Sequence, residues 1–221
     1  MFESGFCIEP NVFTADECQR IFSSIRSTED FRSRAGVRNL MANQEVAAIA
    51  KDQRLLGITK QISGKSLTPF KATLFEKTGK ANWLVAWHQD TALPLEKPIH
   101  ADGWGPSSVK AGVAFVHSPT WALRQILALR IQLDSSTPEN GPLKVIPGSH
   151  KKRLLTDLEF DRVVFDGPRV DCVAERGSVI AMRPLIVHAS SKSLSHKPRR
   201  VLHIEYAESL DLGNGIRLAI A

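Results

Sequence analysis

Three side chains of this 221-residue chain have the types and spacing to share one metal ion. His88 and Asp90 stand two apart in Trp87-His88-Gln89-Asp90, at the end of a strand-like run. Side chains along a strand alternate with period two, so both point to one face and supply two adjacent corners of a site. The best third corner is His188, which ends the apolar, β-branched run Leu185-Ile186-Val187-His188. Two imidazoles and one carboxylate on one side of an Fe(II) leave the opposite positions open for substrate and oxygen. Zinc accepts the same donors, so these residue types alone leave iron and zinc both open. Eleven residues after His188, Arg199 opens another strand-like run. A fixed planar cation there is suited to a dicarboxylate, which it can hold bidentately. Lys77, on an earlier strand, could reach a carboxylate too, although most strand lysines are solvated.

Five further histidines compete with the chosen two. His100 and His117 lie in or beside the loop-like stretch Thr91–Lys110, and His196 sits in a polar loop before Pro198. His150 follows Pro147-Gly148-Ser149 and reads as structural, whereas His203 shares a strand face with Arg199 and reads as an interior, hydrogen-bonded histidine. Arg130, Gln132 and Asp134 alternate with Leu129, Ile131 and Leu133, giving a polar strand face turned either to a cavity or to solvent. If to a cavity, Arg130 and Gln132 are substrate-side residues, with Gln89, Trp87 and Trp104 as further pocket candidates.

The elements that must position these residues are legible in outline. Thr14 with Glu17 forms a capping box ahead of Cys18, Ile21, Phe22 and Ile25 at helical spacing. Asn43 and Asp52 cap two more helices, the second stopped by Gly64. From Pro69 the period becomes that of strands. Phe70–Lys77 and Trp83–Trp87 flank Thr78-Gly79-Lys80, which reads as a hairpin turn. The Pro-, Gly- and Ser-rich stretch Thr91–Lys110 reads as a long functional loop, a lid or binding loop. Ala111–Val116, Ile126–Leu133, Val163–Phe165, Arg169–Val173, Ser178–Met182, Leu185–His188 and Arg200–Tyr206 read as strands. Many short strands after a helical N-terminal third predict a mainly β, α+β fold: a two-sheet sandwich or jelly roll with helices outside.

Composition bounds the alternatives. A hydrophobic content of 43% with 24% charged residues is globular, and residues 1–221 fit a single domain. No apolar run approaches a membrane span or a signal peptide, so a cytoplasmic protein is expected. Three cysteines without metal-ligand spacing read as reduced. The net charge of +6 is dispersed and lacks interleaved aromatics, so it mildly favours an anionic small molecule and does not indicate nucleic acid.

Taken in order, several motifs resemble the phytanoyl-CoA dioxygenase family of Fe(II)/2-oxoglutarate oxygenases. They are Gly5-Phe6, Phe13 to Cys18, His88-Gln89-Asp90, Leu129 to Asp134, Asn140-Gly141-Pro142-Leu143, Pro147 to Lys151, His188-Ala189-Ser190 and Arg199. The resemblance covers most of the chain. It implies a double-stranded β-helix, with Fe(II), 2-oxoglutarate and O2 as cofactors. It also implies hydroxylation of a small-molecule C–H bond with release of succinate and CO2. On the family pattern the arginine eleven residues past the distal histidine holds the cosubstrate, which selects Arg199 over Arg200, and Ser190 takes the place of an assisting hydroxyl. Family halogenases replace the carboxylate ligand with a small residue, and Asp90 is present here. A non-catalytic jelly-roll binding protein and a desaturase are the other readings the motifs leave open.

Overall fold

The N-terminal helices begin where the sequence offers a cap. In the computed structural model, the structure describes residues 1, 3–26, 32–33, 36–78 and 81–221, with 26, 32 and 33 described by backbone alone. After β1 (Phe6–Glu9), α1 (Ala15–Arg26) starts at Thr14, where the Thr14 amide donates to Glu17 and the Glu17 amide to Thr14 Oγ1. Two short strands follow, β2 (Arg32–Ser33) and β3 (Gly36–Val37). Then come α2 (Gln44–Ala50), capped by Asn43, and α3 (Gln53–Ser63), capped by Asp52 and ended by Gly64 at φ +73°. The strands are β4 (Thr68–Lys77), β5 (Val85–His88), β6 (Ala92–Leu95), β7 (Ser107–Lys110), β8 (Val113–His117), β9 (Ile126–Gln132) and β10 (Leu143–Val145), with α4 (Thr120–Leu123) before β9. After α5 (Asp157–Asp166) come β11 (Val170–Cys172), β12 (Val179–Met182), β13 (His188–Ser190), β14 (Arg199–Ala207), β15 (Asp211–Gly213) and β16 (Ile216–Arg217).

These strands form a seven-stranded sheet, β1-β12-β9-β14-β4-β3-β2, facing a four-stranded one, β11-β10-β13-β5. The result is a jelly roll of the double-stranded β-helix type with helices on one side. Alternation along β4, β9 and β14 sorts the layers. Ala72 and Leu74, Leu127, Leu129 and Ile131, and Leu202, Ile204 and Tyr206 turn outward and pack with α1–α3. The Tyr206 hydroxyl donates to Ala50 O at 3.0 Å, pinning that strand to α2. The opposite face looks toward the smaller sheet, where Ala128, Ile180 and Met182 meet Leu143, Val145 and Cys172 and close one end of the sandwich. The other end stays polar and open.

Four segments depart from the sequence reading. β4 and β5 do not pair as a hairpin: β4 lies between β14 and β3, β5 beside β13, so the chain crosses between sheets there. Thr78 and Ala81 exchange backbone bonds at that crossing, while Gly79 and Lys80 lie outside the described residues. The stretch 91–110 is no long loop, because β6 and β7 flank β8 in a three-stranded sheet at the open end. Val163–Phe165 belongs to α5, whose Thr156–Glu159 capping box outweighs three strand-favouring residues. Leu185–Val187 is buried but turns, with the Ile186 amide donating to Arg183 O, so His188 begins its strand instead of ending one. No helix among the described residues is long and apolar enough to cross a membrane.

Gly177 links β12 to the start of α1, its carbonyl accepting from the amides of Val12 and Phe13. Its φ is +86°, and a Cβ there would stand 1.9 Å from Phe13 O. Gly177→Ala should therefore lower the unfolding free energy by about 2–4 kcal/mol, read from the midpoint of chemical denaturation.

Candidate active site

The metal-ligand candidates meet because of one strand pairing. In the β5–β13 ladder His88 and His188 are direct partners across the antiparallel pair, with ring centroids 4.1 Å apart. Each Nδ1 lies 2.8 Å from the carbonyl oxygen two residues upstream, Ala86 O and Ile186 O. A carbonyl only accepts, so each Nδ1 carries the hydrogen and each Nε2 keeps a free lone pair, the tautomer a metal needs. Asp90 follows the end of β5, its amide donating to Pro184 O at 2.9 Å. Its two carboxylate oxygens stand 3.6 Å from His88 Nε2 and 3.6 Å from His188 Nε2. One donor atom from each residue falls within 4.8 Å of the others, a spacing that suits donors shared by one ion with bonds of about 2.0–2.2 Å. Burial pushes the His188 imidazole down to about 4, so it is neutral at physiological pH. Burial opposes ionisation of Asp90, yet the two imidazoles hold its carboxyl well below the usual range.

The register then shifts by one: His188 pairs with His88, but Ser190 pairs with Val85, so β5 carries an extra residue between them. The bulge lets Val85 and His88, three apart, both face the cavity.

Opposite the triad, the inner face of the large sheet forms rungs in register. Lys77 pairs with Arg199, Phe75 with Val201 and Gln132, Thr73 with His203 and Arg130, and Lys71 with Glu205 and Ala128. On the first rung Arg199 and Lys77 are both buried and lack a carboxylate partner among the described residues. Lys77 Nζ donates to Ser190 Oγ at 2.7 Å and to Ser191 O; Arg199 Nη2 reaches Ser190 Oγ at 3.4 Å and Nε reaches Asn140 O at 3.2 Å. Burial, with Arg199 and Arg130 nearby, pushes the Lys77 ammonium down to about 7. Burial and Arg130 also lower Arg199, which remains a cation because guanidinium is so strong a base. Ser190 Oγ donates in turn to Gly141 O at 2.8 Å. Gly141 sits at φ +68°, and a Cβ there would come 2.2 Å from Ser191 O, so this close approach requires glycine. Arg200 points the other way, clasping Asp134 at 2.6 Å through both Nε and Nη2 and lying 3.9 Å from the Phe22 ring centre.

Triad and rungs enclose a cavity of about 380 Å³. It is lined by His88, Gln89, Asp90, His188, Ser190, Arg199, Lys77 and Arg130, together with Lys71, Thr73, Phe75, His203 and Glu205. Arg38, Lys110, Phe115 and His117 line it as well. Gln89 holds the wall in place, donating to Leu185 O at 2.8 Å and accepting from the Leu155 amide at 3.0 Å. Three expected pocket residues lie elsewhere. Gln132 is buried beyond the cavity, accepting from Ser136 Oγ at 2.7 Å and donating to Arg130 O. Trp87 alternates away from His88 and stacks with Arg169. Trp104 lines a separate pocket beside Trp121. The residues overlooked on β4, Lys71, Thr73 and Phe75, carry a readable signal, their alternation with the expected Lys77. Arg38 and Lys110 do not, since they come from short separate strand ends.

Comparison with known proteins agrees with this geometry. Residues 1–201 match the phytanoyl-CoA dioxygenase (PhyH) family. The chain is 28% identical over 189 residues to an L-proline trans-4-hydroxylase of Streptomyces griseoviridis, a match covering 72% of this chain and 62% of the relative. It is 25% identical over 163 residues to an ectoine dioxygenase of Stutzerimonas stutzeri (strain A1501), covering 66% and 47%. The chain thus spans about half to three-fifths of the length of these relatives. In structure it is similar to the non-haem α-ketoglutarate-dependent carbocyclase SnoK of nogalamycin biosynthesis, with a TM-score of 0.73 and 18% identity over 100% of this chain and 84% of that one. That similarity establishes the shared fold, and the match over residues 1–201 establishes the lineage: the chain belongs to the phytanoyl-CoA dioxygenase family.

Proposed function

We propose that this protein is an Fe(II)/2-oxoglutarate-dependent dioxygenase that hydroxylates a C–H bond of a small molecule, releasing succinate and CO2. One observation carries the reading. A two-histidine, one-carboxylate cluster faces a buried Arg–Lys pair that has no carboxylate partner among the described residues. His88, Asp90 and His188 would hold the metal on one side, and bound Fe(II) with 2-oxoglutarate and O2 supplies the oxidising chemistry. Arg199 would take the distal carboxylate of the oxoacid in its planar fork, with Lys77 and Ser190 completing the seat. Ser190 is anchored to Gly141 O and accepts from Lys77, so its position is set before the cosubstrate arrives. Asp90 occupies the corner a halide would need, which favours hydroxylation over halogenation.

A cavity of about 380 Å³ is near the lower end of small-molecule sites, roughly 300–1,000 Å³, and oxoacid and substrate must share it. Six lysines and arginines line it against two carboxylates, Asp90 and Glu205, which favours an anionic substrate. Helical N-terminal third and jelly roll act as one domain over residues 1–221. The cysteines form no disulfide, which suits a reducing, cytoplasmic setting.

Under anaerobic conditions, Fe(II) and 2-oxoglutarate together should give the visible charge-transfer band of a chelated oxoacid; its absence in folded, iron-loaded protein would overturn the assignment. His88→Ala or His188→Ala should abolish Fe(II) binding and the band while the circular dichroism spectrum persists.

Leaving a carboxylate unpaired in a closed site costs about 3–5 kcal/mol, so Arg199→Ala should weaken 2-oxoglutarate binding at least about a hundredfold. Arg199→Lys should recover part of this, lacking the fork. Arg200→Ala should leave the cosubstrate affinity nearly unchanged and lower stability by about 1–2 kcal/mol, the scale of a half-buried ion pair and ring contact, read by calorimetry and denaturation.

With Lys77 at about 7 in the free protein, binding a carboxylate must raise it. The protonated lysine is the form that binds, so affinity for 2-oxoglutarate should be level below pH 7 and weaken above it, approaching tenfold per pH unit. Lys77→Met should flatten that slope. Titration calorimetry in buffers of different ionisation enthalpy would register the proton taken up near pH 8.

A further inference from the structure

Once the oxoacid is placed, one buried cation still lacks a counterpart. Lys77 and Arg199 serve the distal carboxylate, and Lys71 is paired with Glu205 at 2.7 Å. Arg130 has no carboxylate within ion-pair range among the described residues, although its side chain is buried and lines the cavity. One of its N–H groups donates to His203 Nδ1 at 3.1 Å, its Nε has no partner, and its guanidinium stands 5.4 Å from the Phe75 ring centre. A guanidinium offers five N–H donors in a fixed fork, so most of this one's capacity is unspent. Leaving such a group buried and uncompensated is costly, and a carboxylate is the acceptor whose shape matches it.

The orientation of Arg130 is held by a chain of bonds. Arg130 donates to His203 Nδ1, which must be unprotonated to accept. His203 Nε2–H then donates to Glu205 Oε1 at 3.1 Å, and Glu205 also accepts from Lys71. Arg130 lies two rungs from Arg199, about 13 Å along the strands at ~3.3 Å per residue. Ser190 lies against the Arg199 rung, while the charge of Asp90 acts on Arg130, His203 and Glu205. Arg130 thus shares its part of the sheet with the residues Asp90 acts on, two rungs from the pair that Ser190 touches, although its charge still reaches Lys77 and Arg199. Fe(II) and 2-oxoglutarate cancel each other's formal charge, so the basic excess of the cavity persists after both are bound.

We infer that Arg130 seats a carboxylate of the primary substrate, which makes the cavity a site for small carboxylic acids, with His203 as the residue that positions the guanidinium. The inference rests on the proposed oxygenase reading and narrows its substrate class.

The test is equilibrium binding to the anaerobic Fe(II)·2-oxoglutarate protein, followed by calorimetry and by shifts of the charge-transfer band. The probes are butyrate, cyclopentanecarboxylate and benzoate, each against its own amide. At least one acid should bind about tenfold or more tightly than its amide, the scale of a charge-assisted bidentate pair. Arg130→Met should erase that preference while changing 2-oxoglutarate affinity less than about threefold, and Arg130→Lys should keep part of it. His203→Phe, which removes the acceptor but not the cation, should reduce the preference without abolishing it. The inference is overturned if no acid is preferred over its amide. It is equally overturned if Arg130→Met weakens 2-oxoglutarate as severely as Arg199→Ala, since the guanidinium would then serve the oxoacid's own C1 carboxylate. Should Arg130→Met fail to fold, the acid-to-amide ratio in the unaltered protein and in Arg130→Lys decides. Failure of the unaltered protein to bind 2-oxoglutarate would instead strike the oxygenase reading beneath it.

Discussion

The pairing of His88 with His188 across β5 and β13 is the constraint on which the site depends. It places two imidazoles side by side, their planes tilted by 48°, without any loop having to converge. The carbonyls of Ala86 and Ile186 orient both rings through equivalent bonds, so one short ladder sets the position and the tautomer of two ligands at once. Asp90 then needs only two more residues and a single backbone bond to Pro184. A site built on paired strands in this way inherits their rigidity, which preorganises three donors against the mutual repulsion and desolvation they would otherwise resist.

The large sheet answers with cations. Lys77, Arg199 and Arg130 occupy positions a hydrophobic core would otherwise fill; burial lowers all three, and neighbouring positive charge lowers Lys77 and Arg199 further. The protein without ligands is therefore less stable than its packing permits. Ligands that bind only the folded chain restore what that arrangement costs, so iron, oxoacid and substrate act as structural components of the barrel. The outer face shows the contrast. There Arg200 is given both oxygens of Asp134 and the Phe22 ring.

Much of this was legible in the sequence because the signals are local. Helix caps at Thr14, Asn43 and Asp52 are read from a side chain and an amide within three residues, and His88-x-Asp90 is read from strand alternation. Assignments failed where composition stood in for such signals. Val163, Val164 and Phe165 favour a strand, yet they end a helix begun by Thr156 and Glu159, and that helix leaves Phe165 86% exposed. The prolines and glycines of 91–110 suggested a loop because pairing partners in β8 are invisible until the chain folds back. Gln132 has the right parity for the cavity but spends its side chain on Ser136 Oγ and Arg130 O, a partnership that alternation cannot report. Which sheet β5 joins was likewise a long-range outcome that no turn motif could decide.

The extra residue in β5 makes the metal site a matter of parity. Between Val85 and His88 the chain advances three residues while its partner advances two, and that single unmatched step brings His88 round to the cavity. Substitutions within Ala86–Trp87 leave the count intact, so the outward Trp87 and the exposed Ala86 are free to drift. A deletion of one residue there removes the unmatched step, leaving Val85 and His88 on the same face by plain alternation but without the bulge. A deletion of two sets His88 directly after Val85 and turns it to the other face, and Asp90 with it. The ligand set is thus buffered against changes of spelling and exposed to changes of length that exceed the one residue held in the bulge, a digital lock inside a fold whose surrounding sheets vary by degrees.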